Sequence, residues 1–421
     1  MTEAEAASTT RSRAPRTPAP RTLLAGVAAV AIGAGLWLVA ERLLWPTTVP
    51  AGLHLPRLHP TGSFGKAYLA RSASYARFLD VDALLSRLAL LAVLCVYAKR
   101  GHGLMRESAA GPIGTGMLLG MLGFAIVWIA ELPFGLAAVW WERHHHVSHQ
   151  GYASWIFQSF TSLGGKFLFV SLALLIAMGL ARALRGWWWV AAAPAFGGLA
   201  LLAAFLSVYL IPSVHPLSDR ALLAEAKTLA RVEGAPGTKV EVQDVSRSTT
   251  APNAESVGFG PTRRVILWDT LLDGGFTRRE RRAVIAHELG HISRKHVIKG
   301  VGWLALFLVP TAGLIALATR TRGGMARPEA VPVALLALVA ITLALSPLRN
   351  VISRRVETEA DWAALQATHE PTAMRALLHR LARESLTDPN PPSWSYVLFA
   401  DHPTIMQRIA MADAWQSRRS R

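Results

Sequence analysis

The stretch Ala283-Val284-Ile285-Ala286-His287-Glu288-Leu289-Gly290-His291-Ile292-Ser293-Arg294-Lys295-His296 decides how this chain is read. It sets His287, Glu288 and His291 in a His-Glu-x-x-His arrangement. Histidines four apart lie on one helical face, so both imidazoles can reach a single zinc ion. Glu288, beside that pair, can take a proton from a water that the ion has made acidic. Upstream, Thr277-Arg278-Arg279-Glu280 fits a capping box, in which a hydroxyl and a carboxylate satisfy the first free amides. The spacing therefore predicts a helix that starts near Arg278 and runs on into the next apolar segment. A five-residue motif also fits a chance match on an amphipathic helix. The cap, the small Gly290 and the unbroken pattern favour the metal site.

A catalytic zinc needs a third protein ligand and an open position for water or substrate. The run Arg354-Arg355-Val356-Glu357-Thr358-Glu359-Ala360-Asp361 offers that ligand. Glu357 and Asp361 are four apart and share a helical face, so Glu357 can bind the ion while Asp361 orients a histidine by hydrogen bonding. A surface helix of mixed charge is the plainer account of the same run. Glu359 falls on another face and is expected in solvent, and His296 is expected to pack. The histidines at 144, 145, 146 and 149 read as a solvated or interfacial loop rather than a second metal site. A single cysteine, Cys95, excludes an internal disulfide and a thiolate cluster, leaving histidine and carboxylate to hold one zinc per chain.

Topology supplies a separate check. Of the 421 residues, 52% are hydrophobic and only 17% charged, against roughly a quarter charged in a soluble domain. Seven apolar segments are each close to the roughly 20 residues a span needs: 23–40, 81–98, 113–130, 167–181, 187–211, 300–319 and 330–348. The chain then divides into a disordered basic tail (1–22), five spans (23–211), a catalytic region (212–299), a two-span hairpin (300–348) and a second catalytic region (349–421). Two spans separate His291 from Glu357, an even number, so the two half-sites return to one side and can meet. Within the catalytic region, Asp219–Val232 has helical apolar spacing, while Lys239–Val245 and Arg264–Trp268 read as strands. Glu131 either lines a cavity or lies at the interface, where Pro133 breaks the helix. The net charge of +17 would suit nucleic acid in a soluble protein. In so apolar a chain it faces acidic lipid instead, and no nucleic-acid partner is expected.

These motifs, taken in order, resemble the CAAX prenyl protease 1 family of integral-membrane zinc proteases. The resemblance runs from about residue 20. It is carried by Leu132-Pro133-Phe134, His215-Pro216-Leu217-Ser218-Asp219, Asn253-Ala254, Gly258-Phe259-Gly260, the two metal motifs, and Phe399-Ala400-Asp401-His402-Pro403 through Arg408. It implies a mainly α, polytopic membrane protein, with seven helices around a chamber and a zincin-like catalytic domain. His287, His291 and Glu357 would bind zinc, Glu288 would be the general base, and Asp361 would orient a ligand. His402 would stabilise the oxyanion or bind the peptide, with Arg408 and Asn253 supporting the substrate-binding edge. Two departures stand out: His402-Pro403-Thr404 where the family has His-Pro-Pro, and the basic stretch Glu142–His149 where the family is acidic. The Ala- and Arg-rich composition is bacterial in style, so endopeptidase chemistry transfers and prenyl specificity does not.

The expected function is thus hydrolysis of peptide bonds in peptide or membrane-protein substrates. General membrane-protein quality control, a non-proteolytic lipid- or peptide-binding relative, and a transporter with an incidental motif are the alternatives. Arg11, Arg13, Arg16 and Arg21 favour a cytoplasmic N terminus, which over seven spans would put the metal site outside. The larger cluster of Arg278, Arg279, Arg281, Arg282, Arg294, Lys295, Arg349, Arg354 and Arg355 favours a cytoplasmic catalytic side, the side expected here.

Overall fold

The computed structural model describes residues 31, 33–104, 110–273 and 275–420. The chain divides at Pro46 into two units. In the first, the described residues from 33 to 44 are helical and end in a π-turn, Ala40–Leu44.

The second unit opens with four long helices: α1 (Lys66–Arg100), α2 (Gly111–His144), α3 (Tyr152–Leu184) and α4 (Trp188–Leu206). A mixed α/β region follows, with β1 (Val214–Pro216), α5 (Arg220–Val232), β2 (Lys239–Gln243), β3 (Ala254–Val257) and β4 (Arg264–Trp268). Then come α6 (Arg278–Ser293), α7 (His296–Thr319), α8 (Val331–Thr368), α9 (Pro371–Glu384), α10 (Ser393–Phe399) and α11 (Ile405–Arg419).

Five helical stretches among the described residues are long and apolar enough to cross a membrane, and one of them, Tyr152–Tyr209, holds both α3 and α4. Six of the seven expected segments lie in these helices. Half of the first, 23–40, lies outside the described residues. Apolar side chains face outward along the helices, Leu168 at 74% exposed among them, as a lipid-facing surface requires. Inward, Leu94, Leu119, Leu174, Met178 and Leu335 form one core. Gly116 and Gly120 of α2 lie where any side chain would collide with Met178 and Leu174 of α3. Small residues four apart let two helices approach where no hydrophobic effect drives them together. Helix α2 runs unbroken through Pro133, so no helix end marks the half-buried Glu131.

The second core belongs to the catalytic region. Leu222, Ala226, Leu229 and Ala230 form one stripe of α5, which Asp219 caps by accepting from the N–H groups of Ala221 and Leu222. That stripe packs with Val240, Val265, Leu267, Ile285, Leu289 and Leu365. The sheet order is β1-β2-β4-β3, with β2 and β4 parallel and the outer pairs antiparallel. Strand β3 is therefore an edge.

Candidate metal centre

Helix α6 starts at the expected capping box. The Glu280 N–H donates to Thr277 Oγ1 at 3.3 Å, and the Thr277 N–H donates to Glu280 Oε2 at 2.6 Å. Residues 283 to 290 are all buried, so this helix carries its polar motif into the core. Gly290 is the reason a second helix can lie against it. A Cβ there would sit 3.1 Å from Ala363 Cβ and 3.3 Å from the Ala360 backbone, both on α8. That close approach brings Glu357 across to the histidines.

The ligand atoms of His287, His291 and Glu357 all lie within 4.8 Å of one another, the one such grouping of His, Cys, Asp or Glu among the described residues. The two Nε2 atoms are 3.1 Å apart. Glu357 Oε2 is 3.2 Å from His287 Nε2, and Oε1 is 3.5 Å from His291 Nε2. His287 Nδ1 faces Asp361 Oδ1 at 2.9 Å, so its hydrogen sits there and Nε2 keeps a lone pair. Glu357 Oε2 is buried without a hydrogen bond. A lone pair and an orphaned carboxylate oxygen meeting in one buried spot suit a cation, and two imidazoles with one carboxylate suit zinc.

The surrounding residues fall on two sides. Asn253, Glu255, Glu288, His296, Val356 and His402 line a cleft of about 390 Å³ together with the three ligands. His402, half exposed at the rim, sets Nε2 3.3 Å from Glu357 Oε2 and donates from Nδ1 to Asp401 Oδ1 at 2.8 Å. That bond holds the Asp401 carboxyl below its ordinary range. Arg408, expected to support the substrate-binding edge, is engaged by Asp361. Its guanidinium forms a fork on Asp361, Nε to Oδ2 at 2.8 Å and Nη2 to Oδ1 at 2.7 Å. A buried carboxylate that orients a histidine needs its remaining lone pairs satisfied, and Arg408 does that.

Three further expectations are corrected. Helix α6 does not run into the next apolar segment, because Lys295 adopts a left-handed backbone (φ 57°) and starts α7 anew at His296. His296 does more than pack: its Nδ1 lies 2.9 Å from His291 Nδ1. Glu359 is not in solvent but buried at 3% exposure, held by His296, Lys299 and the Thr48 N–H. Two residues gain a role at the site only in the structure. Glu255 lines the cleft two positions beyond Asn253 on the edge strand, and burial, then the Glu288 charge, push its carboxyl above the ordinary range. Arg354 donates to the carbonyls of Tyr396 (3.1 Å) and Ala400 (2.6 Å), which ties the loop bearing His402 to α8. Of the histidines at 144, 145, 146 and 149, His144 stacks on Trp140 and Trp141, and His145 is tilted against Trp141.

Residues 216–416 match the model of peptidase family M48. That region belongs to family M48. Over 304 residues the chain is 27% identical to an uncharacterized metalloprotease of Bacillus subtilis (strain 168), YhfN, covering 68% of this chain and 71% of that one. It is 28% identical to a CAAX prenyl protease 1 homolog of Oryza sativa subsp. japonica, over 47% of this chain and 49% of the relative, about half that protein's length. The fold is that of S. mikatae Ste24p, at TM-score 0.66 and 20% identity, over 94% of this chain and 100% of the other. The M48 match, with the apolar helices around it, makes this chain a multi-pass membrane metallopeptidase.

Proposed function

We propose that this M48 protein is a zinc endopeptidase that cuts extended peptides and unfolded segments of membrane proteins. We place its catalytic side at the cytoplasmic face of a bacterial cell membrane. The observation that carries this reading is the convergence of His287, His291 and Glu357 beside Glu288, in a cleft whose wall is the sheet's edge strand. Zinc held by the three ligands would supply a Lewis acid for the attacking water and the scissile carbonyl. Glu288 takes one proton from that water as its oxygen bonds to the carbonyl carbon, and returns it to the amine nitrogen as the C–N bond breaks. His402 at the rim, as an imidazolium with Nδ1 held by Asp401, donates from Nε2 toward the carbonyl oxygen as negative charge develops there. An extended substrate adds to β3 through backbone hydrogen bonds, with Asn253 and Glu255 beside it. The ordering of Asp361 by Arg408 keeps His287 aimed at the ion.

The substrate class follows from that wall. A strand edge takes peptide backbone, so an extended segment near the membrane is the proposed substrate, and the prenyl group named for the rice relative is not required. The basic residues crowding the membrane ends of the two catalytic regions support the cytoplasmic side. The test is hydrolysis of quenched-fluorescent extended peptides by protein purified in detergent, before and after chelation. Activity that survives complete removal of metal would reject the reading.

A further inference from the structure

The two histidines at the centre are braced by different partners. His287 has the Asp361 carboxylate at its Nδ1. His291 has instead another imidazole, His296, with the two Nδ1 atoms 2.9 Å apart. His296 is 5% exposed, and its Nε2 lies 3.2 Å from Glu359 Oε2. The Lys299 ammonium reaches the same oxygen at 3.4 Å, while the Thr48 N–H donates to Oε1 at 2.8 Å.

Donor and acceptor roles then follow along the chain of contacts. An ammonium and a backbone N–H both donate to Glu359, so that carboxylate is ionised and can only accept. The His296 Nε2 facing it must carry a hydrogen. A neutral imidazole has one N–H, which leaves the His296 Nδ1 lone pair to accept from His291 Nδ1–H. His291 Nε2 is then a bare lone pair, aimed at the point where His287 Nε2 and Glu357 converge. The opposite assignment would put a hydrogen on His291 Nε2 and spoil it as a ligand.

We propose that Glu359 and His296 are positioning residues that fix the tautomer and ring plane of His291, a relay parallel to the one Asp361 and Arg408 provide for His287. This rests on the metal reading of the same site. The left-handed turn at Lys295 is what makes it possible. On a continuous helix, residues five apart diverge by roughly 140° about the axis, and His296 would face away from His291.

The test is metal affinity, measured by competition with a chromophoric chelator on full-length protein in detergent. Visible spectra of the cobalt-substituted protein give a second readout of ligand geometry. His296→Ala and Glu359→Ala should each weaken zinc binding by about 10- to 100-fold and alter the cobalt spectrum. His296→Asn keeps an acceptor oxygen near the place of Nδ1 and should recover most of the affinity. Adding Glu359→Ala to His296→Asn should then cost little more, because the oxygen needs no carboxylate behind it. If His296→Ala binds zinc within twofold of the parent while His291→Ala does not bind it, the relay is wrong and the metal site stands. If the Ala and Asn variants lose zinc alike, and metal-free protein unfolds earlier in both, the pair serves only to pack α7 on α8. A parent that binds no zinc removes the metal reading, and the relay with it.

Discussion

Glu288 sits between two ligands yet has its own task, so its chemistry separates from metal binding. Glu288→Gln preserves size and leaves His287, His291 and Glu357 intact. Purified variant should keep about one zinc per chain while turnover falls by at least ~100-fold. Full activity in that variant would end the mechanism. A second residue tests the site's surroundings through pH. Both carboxyl oxygens of Glu233, at the end of α5, are buried without a hydrogen bond. Burial pushes its pKa from 4.5 to about 8, against the opposing charges of Arg294 and His287. The folded protein thus holds a proton that the unfolded chain releases, so this group's contribution to stability falls as pH rises from 4.5 to about 8 and stays low above. Glu233→Gln should therefore gain melting temperature relative to the parent at pH 9 more than at pH 5. Thermal unfolding at both values checks this, and an equal gap at the two would clear Glu233 of the effect.

At the scale of elements, the contact between α6 and α8 depends on one missing methyl. Gly290→Ala pushes Ala360 and Ala363 outward by a few tenths of an ångström, and overpacking of this kind costs about 1–3 kcal/mol. Zinc affinity should fall with stability, since Glu357 moves with α8; denaturant titration and chelator competition would show whether the two track. Helix α6, its cap, the strands β2 and β4, and the facing of Glu357 and Asp361 were all legible, because local spacing alone sets them. His296 and Glu359 were misread for one shared reason. Local spacing alone gives a straight helix after His291 and one solvent face on α8, and Lys295 and the Thr48 loop overturn both. No composition signal announces a lysine with positive φ. Arg408 was legible as part of the site but not as the partner of Asp361, because their separation in sequence carries no register.

For the whole molecule, α7 and α8 carry the chain out and back between the two halves of the centre. With Cys95 replaced, single cysteines placed near Gly237 and after Arg418 should react with an impermeant thiol reagent from one side of sealed vesicles. Labelling from opposite sides would contradict a shared centre. The expected chamber of seven helices was an inference from family likeness, and the cleft at the edge of β3 is the place we propose for substrate.

That edge has a further consequence. Along a strand, alternate residues turn their N–H and C=O toward the neighbouring chain, and the residues between turn theirs away. A peptide lying against β3 would be felt every second residue, whatever its side chains. Scanning a good substrate with single N-methyl groups should give a cleavage profile that rises and falls with a period of two, and one methyl out of phase with β3 should be nearly silent. The same periodicity marks out where a backbone-modified inhibitor can be made stable to hydrolysis without losing its grip.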